Sequence, residues 1–154
     1  IGRSLRSVLD LQALGERTIY IDCDVVEADG GTRCAAVTGG YLALHLALKQ
    51  AVDSRTLRTL PLTDSVAAVS VGVVGGMPVV DLEYQEDCVA DVDMNVVTTG
   101  SGKLIEVQAT AEADPFDRTV LDQLLDMAAG AIARLTAAQM DVITHSYLPQ
   151  GGAE

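Results

Sequence analysis

Trp is absent and Phe occurs once in 154 residues, so the core has to be assembled from Val, Leu, Ile and Ala. Basic residues are also scarce, with 10 Lys and Arg against 22 Asp and Glu and a net charge of −12. That balance works against bulk attraction of a nucleic-acid backbone, which needs Lys and Arg, and suits solubility or cation binding. The basic residues are unevenly spread, with Arg3, Arg6, Arg17 and Arg33 all in the first third. Three cysteines, widely spaced and without a C-x-x-C pair, argue against both a disulfide framework and a zinc site. Three buried or half-buried free thiols are expected. No apolar run reaches the ~20 residues that span a bilayer, and no basic n-region precedes a signal-peptide core. A cytoplasmic location is the default expectation. The hydrophobic share of 49% still provides for a well-packed core.

Along the chain, Ile1, Leu5, Val8 and Leu9 recur with helical spacing, and Gly15 is placed to stop the helix after Leu14. The opening residues read as the middle of a helix, so a piece of a longer chain is expected. Thr18 to Val26 alternates as a strand, with Ile19, Ile21, Cys23 and Val25 on one face and Asp22 and Asp24 on the other. From Thr32 to Val52 the pattern is helical, with Val37, Tyr41, Leu44 and Leu48 forming the apolar stripe and Leu42 and Leu46 widening it. His45 on this helix reads as a satisfied core or partner-facing residue. Asp53 to Asp64, with Pro61, is the expected connection between two α+β lobes. Ser65 to Val74 is a β run, Gly75-Gly76 signals a hairpin, and Met77 to Tyr84 is the returning strand. Met94 to Thr99 and Lys103 to Thr110 are further strands around a Gly100-Ser101-Gly102 turn. Asp117 is placed as an N-cap for a long helix to His145, burying Val120, Leu121, Leu124, Leu125, Ala128, Ile132, Leu135 and Met140. The Gly- and Pro-containing tail from Ser146 to Glu154 is expected to be mobile.

Two stretches carry chemistry. In Glu27-Ala28-Asp29-Gly30-Gly31-Thr32-Arg33-Cys34 an extended run gives way to a helix. The first turn of a helix has unpaired N–H groups and the positive end of the macrodipole. Glycines there let an anion approach the backbone, and Arg33 can grip it through two parallel hydrogen bonds. The other reading is a tight turn with Asp29 as N-cap; the glycine spacing is not that of a Walker A loop. The second stretch is acidic: Asp81, Glu83, Glu86, Asp87, Asp91 and Asp93. Hard carboxylate oxygens suit Mg²⁺ or Mn²⁺, which take one or two carboxylates and keep waters and phosphates for the rest. The alternative is a solvated acidic loop. Fully extended, Asp87 and Asp93 stand about 20 Å apart, so Cys88 to Val92 must bend or coil if both serve one site. A cation beside an oxyanion pocket is what phosphoryl transfer requires.

An ordered series of segments resembles the ribonuclease PH family from residue 1 to about 144. These are Leu14-Gly15-Glu16-Arg17-Thr18-Ile19, Asp22-Cys23-Asp24-Val25, Ala28-Asp29-Gly30-Gly31-Thr32-Arg33, Ala67-Ala68-Val69-Ser70-Val71-Gly72, Glu86-Asp87 and Asp91-Val92-Asp93-Met94-Asn95-Val96-Val97. Glu106-Val107-Gln108 and Thr110-Ala111-Glu112 follow in close versions. The resemblance implies an α+β fold: an incomplete ribosomal protein S5 domain 2-like unit over residues 1–60, then the family's C-terminal domain over 61–145. It implies a phosphate-dependent 3′→5′ exoribonuclease that trims transfer RNA precursors, built as a ring, commonly a hexamer built from dimers. Gly31, Thr32 and Arg33 would hold inorganic phosphate, and Asp87 and Asp93 would be the catalytic, Mg²⁺-associated aspartates. The other function expected of such a chain is a non-catalytic ring or scaffold subunit. Against the family pattern, an N-terminal segment with a second phosphate-binding arginine has no counterpart, and Ala109 and Ala113 stand where Gly is usual. Cys34 replaces a Thr, which is expected to remove a hydroxyl near the anion. The chain by itself is expected to be inactive.

Overall fold

The computed structural model describes residues 1–112 and 114–145. The tail and Ala113 therefore lie outside the described residues. The elements run α1 (Gly2–Arg6), α2 (Leu11–Leu14), α3 (Thr32–Asp53), β1 (Val66–Val74), β2 (Met77–Val80), α4 (Tyr84–Asp87), β3 (Val92–Thr99), β4 (Leu104–Ala111) and α5 (Arg118–His145). The N-terminal helical pattern is split. Asp10 Oδ1 accepts the Gln12 and Ala13 N–H groups at 2.9 and 3.0 Å and starts α2, and Gly15, at φ 70°, ends it.

The strands form one antiparallel sheet in the order β2-β1-β3-β4. Strand alternation sends successive side chains to opposite faces, and the two faces have different partners. Ala67, Val69 and Val71 of β1 and Val92, Met94 and Val96 of β3 pack under Leu124, Ala128 and Ile132 of α5. Val66, Ala68 and Val97 on the other face pack under Val37, Tyr41, Leu44 and Leu48 of α3, together with Leu5, Val8 and Leu14. The α3 stripe is the one its periodicity predicts. His45 Nδ1 meets the Tyr41 hydroxyl at 3.4 Å, and burial, then the Lys49 charge, lower its pKa.

Four expectations are corrected. Thr18 to Val26 is not a strand: Ile19 and Ile21 pack on the α3 core, but no described strand lies alongside to complete a ladder. The strand after the hairpin stops at Val80, because Asp81 turns to φ 61° and Tyr84 opens α4. Met140 is 48% exposed, because the buried line of α5 runs from Ile132 to Gln139 and Ile143, one residue aside. Cys23 and Cys88 are exposed, and only Cys34 is buried; all three are free.

Gln139 has a structural reason to be buried. β2 pairs with β1 only over Val71 to Val74, which leaves the first half of that β1 edge without a strand. Other groups satisfy it there. Gln139 Nε2 donates to Val66 O at 3.1 Å and to Thr38 O at 2.9 Å, Thr38 Oγ1 accepts the Ala68 N–H at 3.1 Å, and the Asp81 N–H donates to Ser70 O at 2.7 Å.

Candidate active site

The sheet face under α3 changes character along its length. Under the body of the helix it is apolar; towards the start of α3 the same alternation brings up Ser70 on β1, Asp93 and Asn95 on β3, and Glu106, Gln108 and Thr110 on β4. Register sets these in rows, Ser70 opposite Asn95 opposite Gln108, and Gly72 opposite Asp93 opposite Thr110. The first turn of α3 overhangs them. Between the two lies a cavity of about 140 Å³, walled by Gly31, Thr32, Arg33, Ser70, Leu82, Asp87, Asp93 and Asn95. All five residues singled out from sequence therefore line one hollow. At about 30 Å³ per water it has room for a tetrahedral oxyanion. The hollow of about 570 Å³ between α3 and α5 is larger, but its walls are mainly apolar and hold neither Asp87 nor Asp93.

The helix start is built by its glycines. Gly31, at φ 59°, is the N-cap residue, and no side chain among the described residues caps the end. Gly30, at φ 86°, is packed so closely that a Cβ would come 2.5 Å from Leu82 O, so any larger residue would force the Leu82 to Tyr84 backbone away. Asp29 is not the N-cap that the alternative tight-turn reading makes it; its Oδ1 accepts the Tyr84 N–H at 3.0 Å and so ties the helix junction to α4. Arg33 is half exposed and reaches across to β4, where Glu106 and Gln108 hold its guanidinium.

The acidic stretch divides by task. Glu83 and Glu86 form a capping box on α4, the Glu83 N–H donating to Glu86 Oε2 at 3.1 Å. Asp91 Oδ2 accepts the Gly76 N–H at 3.0 Å and holds the hairpin. Asp87 and Asp93 face the cavity, because α4 and the turn after it coil the chain that would otherwise hold them apart. Burial raises the Asp93 pKa, and the charges of Asp87 and Glu112 raise it further, against a lowering hydrogen bond from the Met94 N–H. Neither Asp87 nor Asp93 has an ion-pair partner among the described residues. No group of three or more His, Cys, Asp or Glu is placed for a metal among them either. Two unneutralised carboxylates at a polar hollow fit a cation that takes one or two carboxylates and completes its shell with water and phosphate.

Ser70, Asn95, Glu106 and Gln108 were not singled out as site residues from sequence. Strand alternation gives the face of each, but only register aligns them. Cys34 is outside the cavity wall, and its Sγ donates to Asn95 Oδ1 at 3.0 Å. Burial is the main reason its pKa rises from 9.0 to about 11.

Fold and cavity together define an α+β protein whose cleft sets a helix start and a guanidinium against two carboxylates, a layout suited to an oxyanion and a divalent cation. Residues 1–50 match domain 1 of the 3′ exoribonuclease family and residues 64–131 match its domain 2. The chain is 55% identical over 143 residues to a ribonuclease PH of Syntrophomonas wolfei and 53% identical over 143 residues to one of Solibacter usitatus. Each match covers 93% of this chain and 60% of the relative, so the chain spans about three fifths of their length. The crystal structure of rice (Oryza sativa) Rrp46 shares the fold, with a TM-score of 0.66 at 16% identity, over 92% of this chain and 62% of that one. The chain belongs to the 3′ exoribonuclease family, in its ribonuclease PH branch. No described helix is long and apolar enough to cross a membrane.

Proposed function

We propose that this chain carries the catalytic cleft of a phosphate-dependent 3′→5′ exoribonuclease that shortens transfer RNA precursors and releases nucleoside diphosphates. The observation that supports it best is the meeting of Gly31, Thr32, Arg33, Asp87 and Asp93 around one small cavity. Inorganic phosphate sits at the open first turn of α3, gripped by the Arg33 guanidinium, which Glu106 and Gln108 already orient. Its oxygen attacks the last internucleotide phosphorus. The new P–O bond forms as the bond to the 3′ oxygen breaks, and the terminal nucleotide leaves as a 5′-diphosphate. Asp87 relays the proton of the attacking hydrogen phosphate to the departing 3′ oxygen, so the shortened RNA ends in a hydroxyl. Asp87 and Asp93 hold Mg²⁺ or Mn²⁺, which when bound neutralises charge developing on the attacked phosphoryl group.

The chain divides near residue 60 into the remainder of the first family domain and, over residues 61–145, the C-terminal one. The complete protein works in the cytoplasm as a homo-oligomeric ring, a hexamer built from three dimers. The test is phosphate dependence on a transfer RNA with a 3′ extension, using the full-length protein. Nucleoside diphosphate release that requires phosphate supports the enzyme; ring assembly without such release would make the protein a scaffold subunit.

A further inference from the structure

One hydroxyl in the cavity wall has no task in the reaction as described. Ser70 lies in β1 with 5% of its surface exposed, and its Oγ has no hydrogen-bond partner among the described residues. Its two row neighbours are both engaged, Asn95 Oδ1 by Cys34 and Gln108 Oε1 by Arg33. Ser70 Oγ lies directly beneath the N-cap of α3, where a Cβ built on Gly31 would come within 3.6 Å of it. A buried hydroxyl left unpaired destabilises a fold, and an orphan of this kind calls for an explanation. An apolar replacement of the same size was open to the sequence, since Ala67 and Ala68 stand on the same strand. The orphan also faces the one hollow that gathers the helix start, Arg33 and the two aspartates.

We propose that Ser70 Oγ–H donates a hydrogen bond to an oxygen of inorganic phosphate held between the start of α3 and Arg33, making Ser70 a further phosphate-binding residue. The inference rests on the phosphorolytic reading above. Arg33 supplies charge from the β4 side, and the open N–H groups of α3 contact the anion from above. Ser70 supplies a neutral donor from the sheet beneath. It adds no attraction at long range; it fixes which phosphate oxygen points away, towards the RNA.

Ser70→Ala in the full-length protein tests this, with melting temperature and steady-state kinetics read in parallel. In phosphate-free buffer the variant melts above the parent, because the unpaired hydroxyl is gone. Added inorganic phosphate raises its melting temperature less than the parent's. The phosphate KM rises about tenfold, the loss of a hydrogen bond to a charged group, while the RNA KM stays put. Ser70→Cys, similar in size and a weaker donor, falls between the two. A lower melting temperature with an unchanged phosphate KM would make Ser70 structural and overturn the proposal. Arg33→Ala run alongside separates the two levels. If it alone shifts the phosphate KM, the Ser70 assignment falls and the phosphorolytic reading stands. If neither variant shifts it, the phosphate site itself is wrong and the Ser70 inference goes with it.

Discussion

Replacing Arg33 by Ala should damage phosphate use while leaving the fold almost untouched, and the structure supplies both magnitudes. On the stability side, the guanidinium is 49% exposed and its ion-pair partner Glu106 is 26% exposed. Pairs this open to water contribute about 0–1 kcal/mol. Arg33 is also only one turn from a helix end, so its removal should lower stability by less than about 1 kcal/mol. On the functional side, a hydrogen bond to a charged group contributes roughly 1.5–3 kcal/mol. A guanidinium fork on phosphate places up to two. Losing one such bond corresponds to a phosphate KM raised roughly 10- to 150-fold. Arg33→Lys should recover little of this, since an ammonium restores the charge but not the planar fork that Glu106 and Gln108 orient. The assay is initial rate against phosphate concentration at saturating RNA, with urea unfolding of the same samples. Equal losses in RNA affinity and phosphate affinity, or a stability loss above about 2 kcal/mol, would refute the assignment, because the residue would then be serving RNA or the fold.

Three further outcomes follow from the same geometry. Asp93→Asn relieves the repulsion from Asp87 and Glu112, so it should melt no lower than the parent while turnover falls at least a hundredfold; normal turnover would remove Asp93 from the site. Gln139→Ala strips the donor from Val66 O, while Thr38 O stays within the hydrogen-bond ladder of α3; at about 1–3 kcal/mol for the one carbonyl left unmet, urea unfolding should show a loss of roughly 1–3 kcal/mol, and a loss under about 0.5 kcal/mol would contradict the edge role. The buried Cys34 thiol, raised from 9.0 to about 11, favours its neutral form in the folded state. Its contribution is complete below pH 9 and is lost as pH rises towards 11, so Cys34→Ala should show a shallower fall of melting temperature across that window; parallel curves would show that the thiol does not titrate with folding.

Much of the fold is legible from the chain because burial imposes a period. Val37, Tyr41, Leu44 and Leu48 had to be the inner face of α3, and all are buried. The hairpin at Gly75-Gly76 and the turn at Gly100 to Gly102 mark the strand ends because glycine accepts φ values other residues avoid. The misreadings have one cause in common. Thr18 to Val26 alternates like a strand, but a strand exists only with a neighbour to bond, and alternation says nothing about neighbours. Gln139 is polar, so apolar periodicity points to Met140 in its place. What buries Gln139 is the half-empty edge of β1, a consequence of β2 being short.

The site was legible in a different way. Gly31 and Arg33 announce themselves because a helix start has its own chemistry; six acids in so short a stretch need an explanation, but it is the family resemblance that selects Asp87 and Asp93 among them. Their separate duties could not be read, since Glu83, Glu86 and Asp91 differ from Asp87 and Asp93 only in what the backbone offers them: a helix cap, a hairpin N–H, or an open hollow. Least visible was the row Ser70, Asn95, Gln108, whose members lie 25 and 13 residues apart in sequence and are joined only by strand register. A one-residue slip in the β1–β3 ladder would turn part of that row to the α5 face and bring apolar side chains under the start of α3. Val69, Met94 and Val96, buried against α5, are what forbid the slip. The hydrophobic face of the sheet therefore fixes the position of the polar one, and the polar cleft depends on packing that never touches it.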